Sequence, residues 1–365
     1  MCKVLPVAGL MFLLFSLRCG ESPAEAAAFE PAPFVGRSPR LLSLGGEDAP
    51  LVDSPACAVF EDNTLECGSF GFVDDKTTEG QARTALRLIP VPGGADIQQL
   101  DVATDSACVV HHDAGLSCLT PASQLLPVSI GAPAEEVAVT NEEACVRLAD
   151  GTVRCFLFSG GRDDAGFPGN PVAGLSGVRE IDRGASFACA VKADDSVHCW
   201  GDNQFGQLGS SSLERSTTPV QVSGLSAKSV ALGSAHACAL LTDGTVKCWG
   251  RNDSQQLGNS ERGQSAAPVA LGGLNQITAI VASVHTSCAL RSDGTVHCWG
   301  ANGTASTGQQ PSGGGIGVTP VPNVRGATAI RLGRGHGCAT LADGTVRCWG
   351  GHPFGGEPLS GCFRG

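Results

Sequence analysis

Cysteines ten residues apart recur along the chain, and every pair brackets an aspartate. The stretch CALLTDGTVKCWG begins at Cys238, and close copies of it begin at Cys288 and Cys338. Two thiols spaced in this way can form a disulfide, or they can supply ligands to a metal such as zinc. The seven pairs, which use 14 of the 17 cysteines, are Cys57–Cys67, Cys108–Cys118, Cys145–Cys155, Cys189–Cys199, Cys238–Cys248, Cys288–Cys298 and Cys338–Cys348.

The residues between the cysteines favour the disulfide over the metal. Asp is the fifth residue after the first cysteine in all seven pairs, and Gly follows it in four. A three-residue loop such as 242–244 places Leu240 opposite Val246 and Cys238 opposite Cys248, all on one apolar face. Structural zinc needs ligands from more than one such pair, usually at shorter spacings. We therefore predict seven disulfides and no bound metal.

The residue after the aspartate departs from Gly in three units. Asn63 tolerates the left-handed conformation almost as well as Gly, whereas Ala114 and Asp195 break the pattern. Because Gly115 follows Ala114, we expect the turn of the second unit to be displaced by one residue.

The first 28 residues have the layout of a secretory signal peptide. Lys3 precedes an apolar run over residues 4–17, which is too short to span a bilayer, and small residues follow up to Ala28. Two processing routes fit this layout. One is ordinary cleavage. The other uses the lipobox-like SLRC to lipidate Cys19 and so anchor the chain to a membrane, although Arg18 departs from the small residue that the motif requires.

Export agrees with the cysteine content, because disulfides persist in oxidising compartments. We predict an exported protein that is extracellular, periplasmic or anchored to the outer membrane, with residues 29–365 as a single domain. Its formal charge of −11, without any cluster of Lys or Arg, argues against binding to nucleic acid. The chain has no Tyr and few aromatic residues, which argues against stacking on sugars. We expect a monomer with a protein partner and no cofactor.

A second feature precedes the cysteine pairs, namely a strand that starts with proline followed by an apolar strand such as 230–232. With the two strands of the cysteine ribbon, each unit supplies four short antiparallel strands at a period of 37 to 51 residues. One such blade cannot bury both of its faces. The repeat therefore predicts an all-β fold, a seven-bladed β-propeller of four-stranded antiparallel blades. Phe34 and Val35 would supply an outer strand or help to close the ring.

The later units resemble the repeat of the regulator-of-chromosome-condensation family. The resemblance rests on CWGDNQFGQLG at 199–209 and VALGSAHACALLTDGTVKCWGRNDSQQLG at 230–258, covers about residues 40–350, and is weakest in units one to three, which lack Trp. It implies a seven-bladed propeller. The family includes a nuclear nucleotide-exchange factor and secreted bacterial proteins, and the export signal favours the secreted bacterial type. The resemblance implies packing roles for four tryptophans and hydrogen bonds between blades for three histidines: Trp200, Trp249, Trp299, Trp349, His236, His285 and His336.

Three functions follow as hypotheses. An exported, non-enzymatic protein-binding scaffold or inhibitor would show a contiguous apolar and aromatic patch on one ring face. A glycosidase or lyase would gather acidic groups with raised pKa in the axial funnel. A GTPase regulator would need exposure to the cytosol. We favour the scaffold, and we predict that its interface includes phenylalanines from long loops: Phe70, Phe72, Phe158, Phe167 and Phe205.

Overall fold

Strands form where apolar and small residues alternate around the cysteines, and turns form where Asp, Asn or Gly interrupts them. Contacts divide the chain after Glu30, and every described residue belongs to the unit Pro31–Gly365. The predicted signal segment, with Cys19, lies outside the described residues, so export stays a prediction. The computed structural model describes residues 39–45, 55–73, 83–103, 106–119, 125–158, 169–211, 214–261, 263–310, 312, 314–350 and 361–363.

Within these residues, seven four-stranded antiparallel sheets follow one another along the chain, each with its strands in sequence order. They confirm the predicted seven-bladed propeller. No helix in the described part of the chain is long and apolar enough to cross a membrane.

The blades contain these strands. Blade 1 has β1 (Pro39–Leu44), β2 (Pro55–Phe60), β3 (Leu65–Val73) and β4 (Arg83–Pro90); blade 2 has β5 (Ile97–Val102), β6 (Ala107–His111), β7 (Leu116–Leu119) and β8 (Leu125–Val128). Blade 3 has β9 (Ala134–Val139), β10 (Glu143–Leu148), β11 (Val153–Leu157) and β12 (Asn170–Pro171); blade 4 has β13 (Val178–Arg183), β14 (Phe187–Lys192), β15 (Val197–Asp202) and β16 (Arg215–Gln221). Blade 5 has β17 (Ala227–Leu232), β18 (His236–Leu241), β19 (Val246–Gly250) and β20 (Ser265–Ala270). Blade 6 has β21 (Ile277–Ser283), β22 (Thr286–Arg291), β23 (Val296–Ala301) and β24 (Gly315–Pro320); blade 7 has β25 (Ala327–Gly333), β26 (His336–Leu341), β27 (Val346–Gly350) and β28 (Gly361–Phe363).

The second and third strands of every blade carry the paired cysteines directly opposite each other. In blade 5, Cys238 faces Cys248 and Leu240 faces Val246, as the turn geometry predicts. The Cα atoms of the seven pairs lie 4.0–4.1 Å apart, and their sulfur atoms lie at disulfide distance. The turn aspartate stabilises the hairpin, since Oδ1 of Asp243 accepts a hydrogen bond from the backbone N–H of Thr245 at 2.9 Å.

The turn of the second unit is not displaced, which corrects the expectation from Gly115. Ala114 itself takes the left-handed conformation with φ of 64°, and Asp195 does the same with φ of 62°. In blade 2 the pairing of Val110 with Leu116 keeps the common register. Oδ1 of Asp113 accepts the N–H of Gly115 at 2.9 Å, so the aspartate holds the turn without a glycine beside it.

The sequence analysis grouped each segment that begins with proline with the unit that follows it. In the structure these prolines lie in the outer strand of the preceding blade instead. Val220, in the segment that begins at Pro219, pairs with Cys199 of blade 4. The chain then crosses to the next blade only after this outer strand is complete. In blade 7 the outer strand is β28, in which Cys362 pairs with Arg347 through the backbone. Phe34 and Val35 lie outside the described residues.

Each blade packs its cysteine face against the opposite face of the next blade, where alanines alternate with larger apolar side chains. In the contact between blades 5 and 6, Cys238, Leu240 and Cys248 pack with Ala289 and Trp299. The same arrangement closes the ring, because a single core cluster joins the cysteine face of blade 7 to blade 1. That cluster contains Cys338, Val346 and Cys348 with Leu42, Leu44, Ala56, Ala58 and Phe60.

Candidate functional site

The first strands of all seven blades line an axial cavity of about 340 Å³. These strands are short, and their successive side chains point to opposite faces. Only a few residues of each strand therefore face the axis. The wall is not uniform around the ring, and its acidic residues come from three consecutive blades, 2 to 4.

Two register positions carry this difference. In each blade, one residue of the first strand pairs with the first cysteine of the disulfide. Two residues before it on the same strand, blades 2 to 4 have Gln99, Glu136 and Glu180. Blades 5 to 7 have small residues at that position: Ser229, Ala279 and Ala329. The residue opposite the first cysteine itself is polar or charged in four blades and apolar in three: Ser43, Asp101, Asp182 and Arg331 against Ala138, Ala231 and Val281.

Each acidic side chain of this wall accepts a hydrogen bond from the backbone of the next blade. Oδ2 of Asp101 accepts the N–H of Val139 at 2.7 Å, which joins blade 2 to blade 3. An oxygen of Glu136 accepts the N–H of Ile181 at 3.1 Å and joins blade 3 to blade 4. Blade 4 is joined to blade 5 twice: Glu180 accepts the N–H of Val230 at 2.9 Å, and Asp182 accepts the N–H of Leu232 at 2.8 Å.

The low-dielectric wall disfavours the charged forms of these groups. Burial raises the pKa of Asp101 to about 6, and the nearby Arg331 guanidinium lowers that pKa only in part. Burial raises the pKa of Glu180 to about 7 and raises that of Glu136 as well. The pKa of Asp182 lies well above its ordinary value because of burial, with the charge of Asp101 adding to the effect.

Blade 7 closes the wall with a bond of opposite polarity. Nε of Arg331 donates to the backbone oxygen of Leu42 in blade 1 at 3.0 Å. A guanidinium donor here satisfies a carbonyl of the neighbouring first strand, whereas the carboxylates satisfy N–H groups. Neighbouring first strands are therefore joined either by a carboxylate that accepts an N–H or by a guanidinium that donates to a carbonyl.

Tryptophans join the later blades away from the axial wall, through the loops after the third strands. The indole Nε1 of Trp249 donates to the backbone oxygen of Gln207 at 2.9 Å, and Trp299 donates to that of Gln256 at 2.8 Å. Trp349 donates to the oxygen of Ser306 at 3.0 Å. Trp249 and Trp299 are fully buried, so the predicted packing role of these side chains is confirmed.

Two of the three histidines occupy equivalent positions. His236 and His336 begin the second strands of blades 5 and 7, whereas Thr286 holds that position in blade 6. His285 lies one residue earlier, in the preceding turn. Nε2 of His236 lies 2.8 Å from the hydroxyl oxygen of Ser287 in blade 6, which is the predicted bond between blades.

The predicted phenylalanine interface is not brought together in the described part of the chain. Phe70 and Phe72 lie in strand β3 instead of the predicted loop, and Phe167 lies outside the described residues. Phe158 is half-buried and packs edge-on against Phe156, with ring centroids 5.8 Å apart. The ring of half-buried Phe205 is covered by the Arg251 guanidinium, 4.8 Å from its centroid.

Exposed apolar surface is sparse among the described residues. Leu126 and Leu157 are the large apolar side chains with high exposure there, at 39% and 61%. They do not form the broad apolar patch that the scaffold hypothesis expected.

One trio in the described part of the chain has potential metal-ligand atoms close together: Glu143, Cys145 and Cys155. Its two cysteines are each other's partners at disulfide distance, so their sulfurs are not thiolates. The guanidinium of buried Arg183 already occupies the space as a cation. Its Nη2 lies 2.6 Å from Glu143, and its Nη1 lies 2.7 Å from the sulfur of Cys145. The trio does not fit a metal.

The polar residues of the axial wall were not predicted from the sequence. A signal was present, because IQQLDV, AEEVAV and VREIDR place polar residues where other units have AKSVAL and ITAIVAS. These side chains alternate with core residues and so must share one face of a strand.

Comparisons with known proteins agree with this architecture. A family model of the regulator of chromosome condensation (RCC1) repeat matches residues 178–207, 227–256 and 277–305, and a second model of that repeat matches 194–240 and 243–290. The chain thus carries RCC1 repeats in blades 4 to 6, which confirms the resemblance there. No curated protein matches the sequence significantly.

Several solved propellers share the fold at low identity. Prp20p from Saccharomyces cerevisiae is 18% identical with a TM-score of 0.65, over 80% of this chain and 80% of its own. Human WBSCR16 is 15% identical with a TM-score of 0.62, over 76% of this chain and 82% of its own. The CRINKLY WD40 ectodomain of the Arabidopsis thaliana receptor kinase ACR4 is 18% identical with a TM-score of 0.51, over 89% and 98%. At such identities these structures support the fold alone.

Proposed function

We propose that this RCC1-repeat propeller is an exported, non-enzymatic scaffold, of the secreted bacterial type, that binds a protein partner. The observation that carries the proposal is the set of seven cysteine pairs at disulfide distance, one in each blade. Reducing compartments do not sustain such a set, whereas oxidising ones do. The N-terminal apolar segment supplies the export signal, by ordinary cleavage or by lipidation of Cys19.

The two faces of the ring differ in what they can present to a partner. The turn face carries the hairpin tips between second and third strands and the short connections to the next blade. The loop face carries the connections from first to second and from third to fourth strands, including the described residues 203–211, 251–261 and 302–310. All seven hairpin tips keep the aspartate and one register, but the long loops differ, and variable loops on a rigid frame commonly carry binding. We assign the loop face to the partner.

Buried amide side chains hold the long loops in place. Oδ1 of Asn203 accepts the N–H of Leu208 at 2.8 Å, and Oδ1 of Asn252 accepts that of Leu257 at 2.9 Å. Oε1 of Gln256 accepts the N–H of Ser254 at 2.8 Å. Such loops lose little conformational entropy when a partner binds, which favours their use as a recognition surface.

Protein binding also agrees with the use of the fold in a solved relative. The structure of Prp20p was described together with its binding to Gsp1p and histones, and yeast RCC1 (Prp20) has been crystallised bound to Kap60. We carry over to this chain only the use of the propeller to bind protein. The identity of those partners does not follow from a shared fold.

Capture from the producing organism's envelope or medium tests the proposal, with the oxidised chain 29–365 immobilised as a monomer. Gln204 and Glu261 are exposed on the loop face, and Ser223 and Thr242 are exposed on the turn face of the same region. We expect Gln204→Arg/Glu261→Arg to reduce capture of the partner. The matched control Ser223→Arg/Thr242→Arg should retain it. Equal capture by both variants would contradict the assignment of the loop face.

A glycosidase or lyase is the second candidate, because the axial cavity does gather carboxyl groups with raised pKa. The bonds that these groups accept from neighbouring blades support a structural role instead. We expect no turnover when the purified chain is incubated with glycan substrates. Turnover that Glu180→Gln abolishes would favour the enzyme.

Guanine-nucleotide exchange is a third candidate, which the RCC1 repeats favour by analogy. An exported chain would not meet a cytosolic GTPase. We therefore expect a reporter fused after residue 28 to be exported, and a reporter that stays in the cytosol would favour the exchange factor.

A further inference from the structure

Gln99 makes a two-point contact with the next blade. Its Oε1 accepts the N–H of Val137 at 3.0 Å, and its Nε2 donates to the carbonyl oxygen of the same residue at 3.0 Å. The amide group thus satisfies both polar backbone groups of Val137 on the axial side. A neutral side chain achieves this because it carries a donor and an acceptor together.

Glu136 and Glu180 occupy the position of Gln99 in the next two blades. Their targets, Ile181 and Val230, occupy the position of Val137, as the strand pairings show. Each glutamate accepts the N–H of its target. An ionised carboxylate has no proton to donate, so it leaves the second half of the Gln99 contact unmade.

We propose that Glu180 and Glu136 are proton-operated clasps, which take up a proton from solvent and then hold the next blade at two points as Gln99 does. In the protonated form one carboxyl oxygen keeps the N–H, and the new O–H donates to the carbonyl oxygen of Val230 or Ile181. The joints from blade 3 to blade 5 tighten as pH falls and loosen as pH rises.

The charged groups around the two glutamates determine which of them takes up a proton more readily. Glu136 lies 3.1 Å from Arg147, which also pairs with exposed Glu135, and Asp101 acts on it across the cavity. Arg147 favours the ionised form of Glu136. Glu180 interacts with Glu136, which raises its pKa, and with Arg179 and Arg147, which lower it; Asp182 faces the same cavity and interacts with Glu180 as well. Burial outweighs these charges at Glu180, so Glu180 is the main clasp.

The direction of the pH effect follows from the raised pKa. A carboxyl group with an ordinary pKa of 4.5 and a folded pKa of about 7 binds its proton more tightly in the folded protein. Its contribution to stability is complete at pH below 4.5 and is lost as pH rises through 7. Between those values one such group changes the equilibrium constant for unfolding by up to about tenfold per pH unit.

The test measures unfolding of the oxidised full chain in denaturant from pH 5 to 8. Relative to wild type, Glu180→Gln should stabilise the protein at pH 8, have little effect at pH 5, and remove up to about tenfold per pH unit from the pH dependence. Gln99→Glu should do the reverse and add a new pH dependence of the same sign. Hydrogen exchange at the Val230 amide, corrected for its intrinsic pH dependence, should slow as pH falls in wild type but not in Glu180→Gln.

Glu214→Gln is the matched control, because Glu214 is exposed on the loop face and does not line the axial cavity. It should leave the pH dependence unchanged. The proposal is overturned if Glu180→Gln keeps the wild-type slope, or if it destabilises the chain equally at every pH. It is also overturned if Gln99→Glu unfolds with an unchanged slope.

Discussion

Two arcs of the ring join their blades in different ways. In the polar arc, blades 2 to 4, side chains of the axial wall bond to the backbone of the next blade. In the neutral arc, blades 5 and 6, the wall has Ser229, Ala231, Ala279 and Val281, and tryptophans bond across the loop face instead. The joint between blades 4 and 5 has both kinds of bond. Neighbouring four-stranded blades can therefore be joined by side chains of the axial wall or by tryptophans that bond to the long loops.

The difference changes how the weak repeats are interpreted. Units one to three lack Trp and depart most from the repeat motif, yet blades 2 and 3 carry the polar wall residues. Phe156 takes the packing position of the tryptophan in blade 3 and is buried there. These units have therefore not lost the bonds between blades. They form them in the axial wall instead of through a tryptophan.

The largest expected effect on stability comes from removing a buried tryptophan side chain between two blades of the neutral arc. Trp299 is fully buried between blades 5 and 6, so Trp299→Ala should lower the free energy of unfolding by about 3–5 kcal/mol, as large-to-small core changes do. Chemical denaturation measures this directly. Trp299→Phe, which keeps most of the ring but loses the Nε1 bond, should cost only about 1 kcal/mol. A small loss with Trp299→Ala would mean that the neutral arc does not depend on its tryptophans.

Disulfides are common to both arcs and should contribute equally to them. Cys288→Ala/Cys298→Ala in blade 6 and Cys108→Ala/Cys118→Ala in blade 2 each remove one cross-strand bond. Each should lower the free energy of unfolding by about 2–3 kcal/mol, because the unfolded chain loses a constraint. Melting of the two variants side by side checks the prediction. A large difference between them would show that one arc relies on its cysteines and the other does not.

The arcs should respond to acid in opposite directions, although the response of the neutral arc is smaller over the accessible pH range. Burial lowers the pKa of His236, at the joint of blades 5 and 6, from 6.5 to about 3. The unfolded chain takes up this proton first, so stability falls as pH drops below 6.5, by about 2 kcal/mol at pH 5. Phe187 occupies the equivalent position in blade 4, which makes His236→Phe the natural test. That variant should lose this acid sensitivity, and an unchanged acid response would contradict the assignment to His236.

The smallest effect is expected at the hairpin tips, which belong to neither arc. Asp243 is fully exposed, and its bonds to Thr245 lower its pKa. Asp243→Ala should therefore shift the melting temperature less than any variant above. Its contribution should also disappear as pH falls through the lowered pKa. A shift as large as that of a disulfide variant would show that the tips, and not the joints, limit the stability of the ring.

Local geometry was predictable from the sequence because it depends on neighbours along the chain. The position of Asp243 between Cys238 and Cys248 determines the ribbon register, and the repeat of that ribbon determines the number of blades. One failure is local, because the turn with left-handed Ala114 is stabilised by Asp113, a side-chain contact that residue propensity ignores. The other failures concern contacts between units. The position of Pro219 in the preceding blade depends on which edge strand is open.

The axial wall was missed for a related reason. Asp182 and Glu180 have bonding partners about fifty residues away, on a different blade, and the spacing within one strand does not indicate those partners. The phenylalanine interface was predicted from loop position alone, which does not show whether a ring is accessible. Phe205, for example, is covered by Arg251 from a different loop.

Disulfide mapping of the protein recovered from its natural compartment tests the central claim most directly. The chain would be isolated from envelope or medium, alkylated without reduction, digested, and analysed by mass spectrometry. We predict seven linked peptides, each joining two cysteines ten residues apart, and no free thiol among those fourteen residues. Free thiols at these positions, or links between different blades, would contradict an oxidised, exported propeller.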